Sequence, residues 1–134
     1  MVRLSKKMEY ALMALKHFAL AEGGIVTAKE ISEKHNIPYE LLAKILQKLK
    51  KDNVLSSIQG TKGGYQLLKK PEEIDLFFLM HAIDGDMALT DCQCSHNENG
   101  KCTLNELCTI KEPVSEMQKE IESIFRKKTV SDFV

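Results

Sequence analysis

No stretch of this 134-residue chain approaches the roughly 18 consecutive apolar residues that a membrane span needs. The opening MVRLSKKMEY lacks a secretory apolar region and a cleavage site, so the expected compartment is the cytoplasm and no membrane partner is expected. There is no glycine-rich phosphate loop and no strand-rich scaffold. The chain is also too short to enclose a substrate pocket beside another function. Thiols and imidazoles could in principle form a nucleophilic site, but those absences exclude an enzyme as the leading class. Internal repeats and low-complexity stretches are missing as well, which leaves one domain with an appended element.

Net charge is also lacking, with 19 basic and 19 acidic residues, but the balance hides a split. Residues 1–70 carry 13 Lys/Arg against 6 Asp/Glu, and residues 71–134 carry 6 against 13. A basic half beside an acidic half suits a protein with one face turned to a polyanion, although solvated surface charge alone could produce the same split.

Helical spacing runs from Met8 to Ala21 through Tyr10, Ala11, Ala14, Leu15, Phe18 and Ala19, and Gly23-Gly24 stops it. Thr27 and Glu30 form a capping-box pattern ahead of a short second helix in which Ile31 faces inward. His35-Asn36-Ile37 makes a turn, and Pro38 suits the first turn of a third helix, where a missing N–H costs nothing. That helix buries Leu41, Leu42, Ile45, Leu46 and Leu49 and ends near Asp52-Asn53.

Two extended runs follow, Val54 to Gln59 and Tyr65 to Leu68, joined by the glycine-rich 60–64 hairpin. A short helix from Leu76 to Ile83 stops at Asp84-Gly85. Residues 86–109 show little periodicity, and a long helix begins near Pro113. Its apolar residues Val114, Met117, Ile121 and Ile124, with Phe125 beside them, form a narrow seam suited to a partner helix.

Three helices and a glycine-tipped hairpin are the order of a winged helix-turn-helix. The fold class is therefore mainly α with a small β-hairpin wing, plus a long C-terminal dimerisation helix. The expected divisions are 1–85 for DNA binding, 86–110 for a cysteine-bearing loop and 111–134 for dimerisation. On the third helix, Tyr39, Ala43, Lys44 and Gln47 lie early enough to reach base edges, while Lys48 and its neighbours can neutralise phosphates. Lys62 at the wing tip, with Ser5, Lys6 and the other residues at the chain start, extends this surface. Any single lysine here also suits an ordinary solvated face.

The segments LSKKMEYALMAL, ISEKHNIPYELLAKILQKLKKDNVLSSIQGTKGGYQL, MHAIDG and TVSDFV together resemble the IscR/NsrR family of bacterial winged-helix regulators, over essentially the whole chain. The resemblance implies a homodimer joined by the long helix and bound to a partly palindromic double-stranded DNA operator. In most members a cysteine-bound iron–sulfur cluster precedes that helix and senses cluster supply, redox state or nitric oxide; a few carry none. One departure is Gln59, where many members have an arginine suited to a narrow minor groove.

Four cysteines, Cys92, Cys94, Cys102 and Cys108, fall within 17 residues in the pattern C-x-C-x7-C-x5-C. A cytoplasmic chain keeps such thiols reduced, and soft thiolates suit iron–sulfur clusters or zinc. The C-x-x-C pairs usual for structural zinc are absent. By resemblance, Cys92 and Cys102 match the first and third cysteines of the IscR set, Cys94 falls near the second, and Asn105 replaces a histidine ligand. An RsrR-type branch is similar at HNIPYELLAK, SSIQG and KCTLNELCTI. It implies a cluster held by Cys92 and Cys108 of one subunit with Glu9 and His35 of the other. Read alone, Glu9 also suits a helix N-terminus and His35 a C-terminal cap. A 2Fe–2S cluster is favoured over 4Fe–4S, with zinc, or a clusterless thiol sensor, as the alternative.

Overall fold

A computed structural model describes residues 3–90 and 107–134 of the chain. Five helices and one hairpin follow in the expected order: α1 (Lys6–Leu20), α2 (Ala28–His35), α3 (Tyr39–Lys51), β1 (Leu55–Ile58), β2 (Gly64–Leu67), α4 (Leu76–Asp84) and α5 (Lys111–Lys127). Short 3₁₀ turns at Pro71–Glu73 and Val130–Phe133, which periodicity does not reveal, bracket the C-terminal half.

Each helix start has a local cause. Ser5 Oγ accepts the Met8 N–H at 3.1 Å and caps α1, which begins two residues before the periodic pattern does. Thr27 caps α2 by accepting from the Glu30 N–H at 3.1 Å. The other half of that expected capping box is not what Glu30 does, since its carboxylate lies 3.6 Å from His17 Nε2. Asn36 closes α2 with φ +52°, a left-handed conformation asparagine tolerates. The chain then reverses into α3, held by a Ser32 Oγ–Ile37 O bond of 2.6 Å. Asp75 Oδ1 caps α4, and Gly85, at φ +83°, ends it.

The core lies between α1, α3 and α4. Leu42, Ile45, Leu46 and Leu49 of α3 pack with Ala11, Ala14, Leu15 and Phe18 of α1 and with Leu76, Leu79 and Ile83 of α4. Met8, where the helical spacing begins, and Leu12, which that spacing does not mark, also belong to it, while Tyr10, Ala19 and Leu41 are only half-buried. Burying one such side chain stabilises the fold by about 1.5–3 kcal/mol.

Strands β1 and β2 are antiparallel, pairing Leu55 with Leu67 through Ile58 with Gly64. Val26 adds a third, one-residue rung by exchanging both backbone hydrogen bonds with Tyr65 at 2.8 and 2.9 Å. The wing is thereby tied to the segment between α1 and α2. At the other end, Val130 N–H donates to Ile74 O and Leu76 N–H to Lys128 O, each at 2.9 Å. These bonds pin the end of α5 to the start of α4, and Arg126 lies over the Phe77 ring at 3.8 Å. Among the described residues no helix is long and apolar enough to cross a membrane.

Candidate nucleic-acid interface and cofactor site

Helix α3 divides cleanly. Leu42, Ile45, Leu46 and Leu49 are buried, and on the far side Tyr39, Lys44 and Gln47 are exposed, with Ala43 half-buried between them. Lys48 is exposed too, but its ammonium donates to the Ile83 carbonyl at 3.1 Å. That contact ties α3 to the C-terminal end of α4, where positive charge is favourable.

The wing tip presents Gln59, Thr61 and Lys62 to solvent. Its tightness needs glycine: a Cβ on Gly63 would stand 2.2 Å from the Ile58 carbonyl oxygen. At the chain start the expected DNA contacts already have partners within the molecule. Ser5 Oγ donates to Asp84 Oδ2 at 2.6 Å besides capping α1. Lys6 pairs with Glu9 at 2.7 Å, and that carboxylate raises the Lys6 ammonium above its usual pKa. Both side chains of this pair face solvent, so the pairing itself adds little stability.

Of the thiols, Cys92, Cys94 and Cys102 lie outside the described residues, as does Asn105. Cys108 is half-buried, with its free thiol just ahead of the first turn of α5. A soft donor anchored there fits a thiolate-ligated cluster or zinc, and the partly exposed Glu9 carboxylate fits as an oxygen donor once Lys6 releases it. Among the described residues no three His, Cys, Asp or Glu side chains converge as a metal cage.

The structure does not bring Glu9 and His35 together. His35 Nε2 stands 3.1 Å from His17 Nδ1, the rings edge-on with centroids 5.3 Å apart. His17 lies eight residues after Glu9 on α1, roughly 12 Å of helix rise, and opens on a different cleft. Glu9 shares its cleft with Arg3, Ser5 and Asp84, whereas His35 shares one with Lys16, Glu30 and Lys34. Burial holds His35 below the usual imidazole pKa, and the neighbouring His17 and Lys34 push it the same way.

Two functional candidates escaped the sequence reading. His17 sits on an apolar helix with no flanking signal, and only the tertiary contact with His35 distinguishes it. Gln118 is the one polar side chain buried among the described residues, at 5 % exposure. Its amide oxygen accepts the Leu89 N–H at 2.9 Å, and its amide nitrogen donates to Met87 O and to Glu122. The clamp fixes residues 87–89, which lead toward the cysteines, against α5.

The chain matches the Rrf2 family, described as an iron-dependent transcriptional regulator, over residues 4–134. It is similar to the HTH-type transcriptional regulator NsrR of Shouchella clausii, with 27% identity covering 99% of this chain and 89% of that one. It is 34% identical to the HTH-type transcriptional regulator IscR of Aliivibrio salmonicida, across 74% of this chain and 58% of that one. In three dimensions it shares its fold with CymR (YrzC), the global cysteine regulator of B. subtilis. The TM-score is 0.74 at 19% identity, covering 99% of this chain and 96% of that one. With a winged helix-turn-helix spanning its first half and a family match over nearly all of its length, the protein belongs to the Rrf2 family of transcriptional regulators and is not an enzyme.

Proposed function

We propose that the protein is a homodimeric repressor. It binds a double-stranded DNA operator through α3 and the wing, and a cysteine-ligated iron–sulfur cluster sets its affinity. One observation carries the dimer and its link to the cofactor. Ile110, Val114, Met117, Ile121 and Ile124 follow one another at intervals of 4, 3, 4 and 3 residues, beginning two residues after Cys108. Ile110, Met117 and Ile124 are 59%, 53% and 61% exposed while Val114 and Ile121 are half-buried, so the described residues leave much of the seam uncovered. Such spacing suits packing against the same helix of a second copy.

A two-fold axis through α5 sets two copies of α3 on one side of the dimer, as successive major grooves about 34 Å apart require. In each half, Tyr39, Lys44 and Gln47 read or hold the groove, Gln59 and Lys62 follow the backbone from the wing, and Lys48 positions α3 through Ile83. Ser5 and Lys6 border the same surface. Residues 1–85 form the DNA-binding unit, 86–110 the cofactor loop and 111–134 the dimerisation unit.

Cys92 and Cys108 are the thiolates we assign to the cofactor, with Cys94 and Cys102 as further candidates and the partner subunit's Glu9 as an oxygen ligand. His35 is left out of this set because it lines a different cleft from Glu9, roughly 12 Å of helix rise away along α1. A bound cluster supplies a centre that reacts with oxidants and nitric oxide, and oxygen ligation keeps it labile. This chain's part is to relay the state of the loop. Gln118 holds residues 87–89 against α5, and the end of α5 is bonded to α4, which touches α3 through Lys48. A change at the loop thereby shifts the population of dimers whose two α3 helices match the operator.

Anaerobic purification with iron and sulfide analysis, followed by operator binding of the apo and loaded forms, tests the proposal. Brown protein whose operator affinity differs between the two forms, with the difference abolished by Cys108→Ala, is the expected result. Colourless protein containing zinc would replace the cluster with a zinc-stabilised regulator. Metal-free protein whose binding follows thiol oxidation would replace it with a thiol switch. Equal affinity in every state would remove the sensing role.

A further inference from the structure

Away from the cysteines, one pair of side chains at the joint between α1 and α2 has the chemistry of a ligand set. His17 Nδ1 and His35 Nε2 face one another at 3.1 Å. Two imidazole nitrogens bound to one tetrahedral ion at about 2.0–2.1 Å stand roughly 3.3 Å apart. Replacing the proton now shared between the rings by such an ion therefore needs only a few tenths of an ångström of separation, together with a turn of each ring that aims its lone pair at a point off the N–N line. Behind His17, the Glu30 carboxylate lies 3.6 Å from Nε2, the ring nitrogen that would not bind the ion. A carboxylate on the far nitrogen is the usual support of a metal-bound histidine, fixing its tautomer and raising its basicity.

The His17 side chain is 9 % exposed, so its orientation is held by packing, while the cleft beside it opens to solvent between Lys16, Leu20 and Lys34. Those lysines are exposed and long, so the ammonium groups can turn outward. Their charge disfavours all cations alike, so selectivity rests on the imidazole donors, which suit a borderline ion better than a hard oxygen-seeking one. We propose that His17 and His35, supported by Glu30, bind one divalent transition-metal ion of the zinc, cobalt or nickel type, with solvent completing its coordination. This site is separate from the cysteine cofactor and does not depend on it. Its place gives it a consequence: it joins the last turn of α1 to the last turn of α2, immediately before the chain turns into α3. An ion there stiffens the angle at which α3 is presented.

The test uses the full chain with Cys92, Cys94, Cys102 and Cys108 all changed to serine, and in parallel the native chain with its thiols alkylated, each titrated with cobalt(II) chloride. One cobalt per chain is expected, with visible d–d bands and with the paramagnetic effect on NMR largest at the His17 and His35 ring resonances and falling off with distance from them. His35→Gln should lower the apparent affinity at least tenfold, and Glu30→Gln by about tenfold. Ring resonances of His17 and His35 that stay unmoved at saturating cobalt would overturn the proposal, as would binding that His35→Gln leaves unchanged. The ring resonances are read without any histidine substitution, so a variant that fails to fold does not blunt the test. Loss of the iron–sulfur proposal leaves this one standing, because both protein forms lack thiolates.

Discussion

Helices α3 and α5 are both strongly amphipathic and close in length, at 13 and 17 residues, yet they do opposite things with their apolar faces. Helix α3 buries four aliphatic side chains within its own chain. Helix α5 buries only Gln118, a polar one, and leaves three large apolar residues of its seam more than half exposed. The apolar stripe of α3 pays for folding, whereas the exposed part of the α5 stripe is what the proposed dimer would cover. A short contact with a second molecule can satisfy α5, while α3 is already satisfied inward and is free to offer its polar face outward.

The most damaging way to probe that contrast is to charge the exposed stripe. Met117→Glu with Ile124→Glu should leave helix content unchanged in circular dichroism but convert the protein to monomer in light scattering. Operator affinity should fall by about two orders of magnitude or more, because the second half-site no longer binds as part of one molecule. A dimer surviving both charges would break the comparison. Next in size, Leu46→Ala in α3 should destabilise the chain by about 2–5 kcal/mol in denaturant unfolding, through the cavity it leaves. Ile110→Ala, measured in the Met117→Glu, Ile124→Glu monomer, should stay within about 0.5 kcal/mol. If the two cost the same, α5 packs on its own chain after all.

Gln118→Leu keeps the volume but strands the Met87 carbonyl and the Leu89 N–H. We expect about 1–3 kcal/mol of local destabilisation, seen as faster amide exchange at Leu89 with little change at Leu46. Lys62→Ala should weaken operator and random DNA alike and reduce the slope of log affinity against log salt by about 1. Lys48→Ala should lower thermal stability as well, since its ammonium holds the Ile83 carbonyl.

The smallest effect concerns pH. Burial depresses the His35 pKa in the folded chain, so the unfolded chain takes up that proton first as pH falls. Stability is therefore full above about 6.5, the unfolded value, and declines as pH drops below it. Melting curves from pH 8 to pH 5 should show that decline, and His35→Gln should flatten it.

Much of this architecture could be read from residue order because the signals were local. The α3 stripe, the Thr27 and Asn36 boundaries, the Gly-rich wing and the 4-3 spacing of α5 are each contained in a window of a few turns. What stayed hidden depends on contacts far apart in sequence. The pairing of His17 with His35 spans 18 positions, and the Gln118 clamp on Leu89 spans 29. A glutamine on an amphipathic helix looks solvated until a backbone segment is laid across it. The Lys6–Glu9 pair is a different case: the i, i+3 spacing was visible, but resemblance drew attention to Glu9 as a ligand and away from its neighbour.

The backbone bonds joining residues 128 and 130 to the segment just before α4 make that junction a fulcrum. Helix α5 is about 25 Å long and is held at its far end, so a tilt of about 5° moves its first turn by roughly 2 Å. The N-terminal end of this lever lies beside Cys108, and its pinned end is bonded to the segment that leads into α4. Under the proposed function, a small displacement near the thiol would reach the body carrying α3 as a small rotation about that junction.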